Sequence, residues 1–220
     1  MKQRMSLTAR QAPTLLFLSI VTAALLTPSA CQAQRNRDNW QRVPEVLTAL
    51  AINEGSRVAD IGAGDGYFTR HLARVVGDAG RVFTVEISQR ALSQLRRLAT
   101  EEGFENIEVI EGETDDPRLP NASLDAVLVV NAYHEMTDYQ AMLDGMLAAL
   151  KPGGRLVMLD RSASEPSESR ARQVGRHELD IDLVERELET AGFEILQREA
   201  RFTSSRNHPQ WMLVARRQPD

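Results

Sequence analysis

Asp60, Gly62, Gly64 and Gly66 stand at the spacing D-x-G-x-G-x-G. An apolar run ends at this point and an amphipathic run begins, so the glycines occupy a strand-to-helix turn. Such a turn lets backbone approach a ligand closely, and the helix start offers unpaired N–H groups. A nucleotide-like cofactor suits it. The dinucleotide fingerprint G-x-G-x-x-G is not met, however. Counted from Gly62, its third glycine would stand at position 67, which is Tyr67; counted from Gly64, it would stand at position 69, which is Thr69. An NAD-dependent oxidoreductase is therefore the less favoured reading.

The acidic residues narrow the ligand. Asp60 and Asp65 flank the loop, a poor setting for a diphosphate and a good one for a cation. A carboxylate about 4 Å from a positive group gains roughly 1–4 kcal/mol at partly exposed sites. Glu86 ends the next apolar run, where an acid can accept both hydroxyls of an adenosine ribose.

A second cluster reads Asn131-Ala132-Tyr133-His134-Glu135-Met136. It follows the fourth apolar run, at the crevice where such folds bind ligands. Asn131 is counted with the cofactor-binding residues. His134 and Tyr133 are the candidate catalytic groups, because a positioned acid or base helps an acceptor lose a proton. The competing reading is that Asn131 and Glu135 cap local backbone while Tyr133 and His134 pack. Among the other histidines, His71 is expected on a helix surface and His208 in a hairpin turn. His177 lies in a polar segment suited to covering an acceptor. No His/Asp/Glu set has metal-ligand spacing along the chain, so no metal is expected, although His134, Glu135, Asp160 and His177 could converge in space. No G-x-S-x-G nucleophile elbow is present.

These groups need a scaffold. Helical periodicity marks residues 44–51, 67–76, 88–102, 138–150 and 180–191. Short apolar strands are predicted at 57–61, 82–87, 107–111, 125–130 and 155–160, with Lys151-Pro152-Gly153-Gly154 stopping the helix before the last. Residues 193–200 and 210–215 read as two further strands joined by a turn-rich 203–209, while 161–176 read as loop. Strands alternating with helices imply a parallel sheet with crossover helices. The expected fold is α/β, a Rossmann-like doubly wound seven-stranded sheet, mostly parallel with a C-terminal antiparallel hairpin.

Over residues 40–216 the chain resembles the class I S-adenosylmethionine-dependent methyltransferases, in particular their small-molecule branch. VADIGAGDGYFT is similar to the first motif of that family, and VFTVEIS to its second strand with the ribose acid. IEVIEGETDDPRLPNASLDAVLVVNAYHEM and LKPGGRLVMLD resemble the segments that follow. The resemblance implies S-adenosylmethionine as cofactor, with Gly62, Gly64 and Gly66 lining it and Glu86 holding the ribose. It also implies Ile87 packed on the adenine, with Glu113 and Thr114 at the adenine edge. Where Glu113 stands the family more often has Asp, which implies a longer or water-mediated contact. Trp40 either anchors the first helix or covers the cofactor.

The chain ends frame the rest. Residues 1–33 run basic, apolar, then small, the layout of a secretory signal peptide, and the apolar stretch is shorter than the roughly 20 residues of a membrane span. Cys31 is the only cysteine; it stands where a lipoprotein would be acylated, although Pro28 replaces the usual leucine. Residues 34–39 are a polar linker and 40–218 the enzyme domain. Export, with periplasmic or membrane-anchored residence, is expected. The net charge of −5 argues against a nucleic-acid substrate, leaving a small-molecule acceptor. A cofactor-binding protein without turnover is the other reading of the same fold.

Overall fold

The computed structural model describes residues 28–205 and 208–219. The signal-like segment therefore lies outside the described residues, apart from its last few positions. Among the described residues, no helix is long and apolar enough to cross a membrane.

The five alternating units are β1 (Arg57–Ile61), α3 (Tyr67–Val76), β2 (Arg81–Glu86), α4 (Gln89–Glu101), β3 (Ile107–Glu111), β4 (Leu124–Val130), α5 (Tyr139–Ala149) and β5 (Leu150–Arg161). Two helices precede them, α1 (Pro28–Trp40) and α2 (Val43–Leu50). Four elements follow: α6 (Arg170–Val174), α7 (Ile181–Thr190), β6 (Phe193–Ser205) and β7 (His208–Arg217). The seven strands lie in the order β3-β2-β1-β4-β5-β7-β6. The first five are parallel, and β7 runs antiparallel between β5 and β6. The chain order reverses between β1 and β4, and this opens a crevice beyond their carboxyl ends.

The central strands are apolar on both faces because both faces are covered. Ala59, Ile61, Val127, Val129 and Met158 pack against Met142, Leu143 and Met146 of α5 and Val184 and Leu188 of α7. Val58, Val82, Leu128 and Val157 pack on the other side, against Val46 and Leu50 of α2 and Phe68, Leu72 and Val76 of α3. Trp211 of β7 is fully buried, and its indole N–H donates to the Leu179 carbonyl at 2.8 Å. That bond ties the α6–α7 segment to the sheet. Ser88 and Asp180 cap α4 and α7 as N-cap residues should, accepting from the Ala91 and Leu183 N–H groups.

Three segments differ from the sequence reading. Residues 34–39 are not a linker but the end of α1, held by charged contacts described below. The helix before Lys151-Pro152-Gly153-Gly154 ends as expected, at Ala149, but the run itself belongs to β5, which starts at Leu150 rather than Arg155 and pairs there with Leu124 ahead of a register shift. The final hairpin is longer than expected, with Ser205 and His208 paired, and the loop before α7 contains α6.

Candidate functional site

The carboxyl ends of β1, β2, β4 and β5 deliver Gly62, Glu86, Asn131 and Asp160 to one edge of the sheet. Gly62 has φ +71°, and a Cβ there would sit 2.3 Å from the Ala132 Cβ. Only glycine allows the two loops to touch. Gly66, at φ +73°, abuts Leu98 and Leu95 of α4, so its role is to seat α3 on α4 rather than to line the ligand.

Two adjoining cavities open at this edge. The larger, about 290 Å³, is lined by Gly62, Gly64, Glu86, Ile87, Glu113, Thr114 and Asn131, together with Glu135 and Met136. The smaller, about 190 Å³, shares Gly62, Gly64 and Asn131 with it and adds Asp60, Arg37 and Gln41. Glu86 is anchored by backbone, accepting from the N–H groups of Gly64 (3.1 Å), Ile87 (2.8 Å) and Ser88 (3.1 Å). Ile87 is 57% exposed, an apolar lip over the larger cavity. Glu113 is ion-paired with Arg118. The Asn131 amide oxygen accepts from Gln210 at 2.6 Å.

The two aspartates of the loop part ways. Asp65 is neutralised, its carboxylate bonding Arg37 at 2.9 Å and accepting from the Tyr67 N–H at 3.1 Å. It lines the smaller cavity, where its charge is shared with Arg37. It also fills the start of α3 with a carboxylate of the chain itself, where a dinucleotide would need its diphosphate. Asp60 is the remaining charge, 3% exposed and bonded by the Thr69 hydroxyl at 2.6 Å.

Burial pushes the Asp60 carboxyl up to about 6 from an unfolded value of 3.8, against the downward pull of the Thr69 bonds. Between those values the folded chain holds a proton that the unfolded chain has lost. Stability is thus lost as pH rises through that window, by at most about 3 kcal/mol. Asp60→Asn should flatten this slope, raising the urea midpoint at pH 7 more than at pH 4. An equal midpoint change at both values would show that Asp60 carries no such shift.

Arg37 and Gln41 line the smaller cavity, where the sequence reading places Trp40 as the possible cover. The Arg37 guanidinium lies 3.6 Å over the Tyr67 ring, and the Tyr67 hydroxyl donates to Asp38 at 2.5 Å. His71, expected at the surface, packs edge-on to Tyr67 and lies 3.2 Å from Asp38; burial lowers its pKa, with the Asp38 charge opposing. Gln41 is buried, and its amide oxygen has no hydrogen-bond partner among the described residues. An unpaired buried acceptor is costly, and this one belongs to a residue that lines the cavity beside Asp60. Trp40 lines neither cavity, so covering the site falls to Arg37 and Gln41. His208 is exposed at the hairpin end.

On the acceptor side, His134 and Tyr133 separate. Tyr133 is fully buried, and its hydroxyl donates to Glu187 at 2.7 Å, with Arg170 alongside. Burial and the Glu187 charge raise its pKa. Its hydroxyl points into the α5–α7 packing rather than the cavities, a position that does not suit the acid–base role expected of it. His134 is 4% exposed; Nδ1 is 2.8 Å from Asp160 Oδ1, and its backbone N–H donates to Asp160 Oδ2 at 3.1 Å. An acceptor at Nδ1 fixes the proton there and leaves Nε2 with its lone pair. Nε2 lies 3.7 Å from Glu135, which does line the larger cavity. The His177 ring stands edge-on to His134, with centroids 5.3 Å apart.

Residues 58–154 match the family model of a methyltransferase domain. The chain is 30% identical over 137 residues to the ubiquinone/menaquinone biosynthesis C-methyltransferase UbiE of Hahella chejuensis, covering 61% of this chain and 54% of that protein. It spans about half the length of the curated relatives it matches. In fold it is similar to an S-adenosylmethionine-dependent methyltransferase from Aquifex aeolicus, with a TM-score of 0.69 at 20% identity over 84% of this chain and 97% of that one. It is also similar to phosphoethanolamine N-methyltransferase 2 of Haemonchus contortus, solved with S-adenosyl-L-methionine, with a TM-score of 0.68 at 16% identity over 82% of this chain and 53% of that one.

Proposed function

We propose that this chain, whose residues 58–154 match the model of a methyltransferase domain, is a class I S-adenosylmethionine-dependent enzyme that methylates a small-molecule acceptor. One observation carries the reading. Two cavities joined at Gly62, Gly64 and Asn131 each hold an acid of a different kind. Glu86 stands at the larger, where a ribose diol needs an acceptor. Asp60 and the unpartnered Gln41 oxygen stand at the smaller, where an ammonium group needs one.

S-adenosylmethionine, when bound, supplies a methyl group made electrophilic by its sulfonium. The chain's own groups do the rest. Glu86 holds the ribose and Ile87 covers the adenine, with Thr114 at its edge. Asp60 and Gln41 fix the amino acid end and so set the direction in which the methyl faces. Methyl transfer needs alignment and exclusion of water more than it needs covalent help. His134, with Nδ1 held by Asp160, offers Nε2 as a proton acceptor toward the side where Glu135 and Met136 line the cavity. The relative from Hahella is named for C-methylation in quinone biosynthesis. An apolar acceptor of that general kind suits the Met136 and Met142 lining.

Titration calorimetry tests the cofactor. S-adenosylmethionine and its demethylated product are expected to bind one per chain, and NAD not at all. Binding of NAD with none of S-adenosylmethionine would overturn the reading. Release of S-adenosylhomocysteine in a metabolite extract then separates an enzyme from a binding protein.

A further inference from the structure

Along the chain His134, Glu135 and His177 have no metal-ligand spacing, and only convergence in space could bring them together. In the fold, one ligand-type atom from each lies within 4.8 Å of the other two. We propose that these three residues bind a divalent transition metal, zinc foremost, at the acceptor edge of the larger cavity.

The donor set is two imidazole nitrogens and one carboxylate oxygen. That set suits zinc and its first-row neighbours, whereas magnesium and calcium demand oxygen. The spacing fits as well. Ligands about 2.1 Å from a tetrahedral zinc stand roughly 3.4 Å apart, and His134 Nε2 is 3.7 Å from Glu135 Oε1. The remaining adjustment falls on Glu135 and His177, which are exposed, while His134 is fixed.

His134 is fixed in the way a metal requires. Asp160 is fully buried and takes both the ring Nδ1–H and the backbone N–H of His134. This presents Nε2 as the free donor, and a carboxylate behind a ligating histidine both orients the ring and raises its basicity. Arg161 N–H also donates to this carboxylate, at 2.8 Å, so the acid does not swing away.

His177 is delivered at a conformational cost. Its φ is +57°, in the left-handed region that costs a non-glycine residue roughly 1–2 kcal/mol. The flanking chain maintains it. Glu178 is buried and accepts from the Ser164 N–H and hydroxyl at 2.8 and 2.7 Å, and Leu179 is held by Trp211. Strain kept in place by surrounding bonds is a reason to look for a function there.

Three protein ligands leave a fourth position open, and Glu135 borders the cavity on that side. A hydroxyl or thiol of the acceptor can complete the coordination, and a bound metal lowers the pKa of such a group; with the metal in place this takes over from the Nε2 base, whose lone pair is then engaged. Metal binding itself needs no cofactor, so it is measured independently of the methyl-transfer reading, although the role at the acceptor rests on that reading.

The test titrates chelator-stripped full-length protein with Co²⁺, followed by its visible absorbance, then displaces it with Zn²⁺. One equivalent is expected, with the intense bands of a low-coordinate site and no competition from millimolar Mg²⁺. His177→Ala, an exposed substitution that leaves the fold intact by circular dichroism, should weaken binding about 10–100-fold. Glu135→Gln should do the same. Substoichiometric Co²⁺ binding at micromolar concentration would overturn the proposal, as would His177→Ala binding as tightly as the parent. Calorimetry with S-adenosylmethionine on the same samples separates failure of this site from failure of the cofactor site.

Discussion

Glu86→Ala is expected to weaken S-adenosylmethionine binding at least about 100-fold while the protein stays folded. Two losses combine. A carboxylate bonded to a ribose diol contributes on the order of 1.5–3 kcal/mol, the range for hydrogen bonds to charged groups. The same carboxylate receives the Gly64 N–H at 3.1 Å, and Gly64 lines both cavities, so its removal also releases the loop. The three N–H groups left behind lie near solvent, where water can replace the lost acceptor. Stability should therefore fall by only about 1 kcal/mol, or roughly 2–4 °C in melting temperature for a chain of this size. Glu86→Gln keeps an acceptor and the side-chain length, and should fall between parent and alanine. Calorimetry with S-adenosylmethionine checks this. An alanine variant that binds within threefold of the parent would place the ribose elsewhere.

The cofactor side was legible because its residues sit on contiguous motifs. The glycine turn and Glu86 each follow a short apolar strand whose bounds are marked by polar residues, so β1, β3 and α3 read correctly to the residue. Residues 34–41 were not legible. They have no apolar period, and what holds them is a set of polar contacts, Arg37 on Tyr67 and Asp65, and Asp38 on Tyr67 and His71. Periodicity arguments do not see such contacts. The proline and glycines at 152–154 look like breakers, yet the edge of β5 accommodates them as an irregular strand start paired across a register shift. The His134–Glu135–His177 cluster could be raised from the sequence only as a convergence in space, for a different reason. Its third member is far along the chain and arrives through the turn between α6 and α7, which Glu178, Ser164 and Trp211 hold. Only Gln41 left a local hint, a polar residue directly ahead of the apolar face of α2.

The loop with which the site begins yields the largest expected effect on stability. Gly62→Ala should cost about 2–5 kcal/mol. The methyl group meets the Ala132 Cβ at 2.3 Å, and both atoms are fixed to backbone, so neither yields by a rotamer change. Overpacking of this kind costs roughly 1–3 kcal/mol, and the φ of +71° adds roughly 1–2 kcal/mol for a residue with a Cβ. Gly64→Ala is the control. Its φ is +55°, but nothing lies within 4 Å of a Cβ there, so it should lose the backbone term alone. Ala132→Gly in the Gly62→Ala background removes the collision and leaves the strained φ. A double-mutant cycle by urea unfolding should then show a favourable coupling of about 1–3 kcal/mol between the two positions. Additive effects would mean that the two loops are not in contact. In that case the shared wall of the two cavities, on which the cofactor assignment depends, would have to be redrawn.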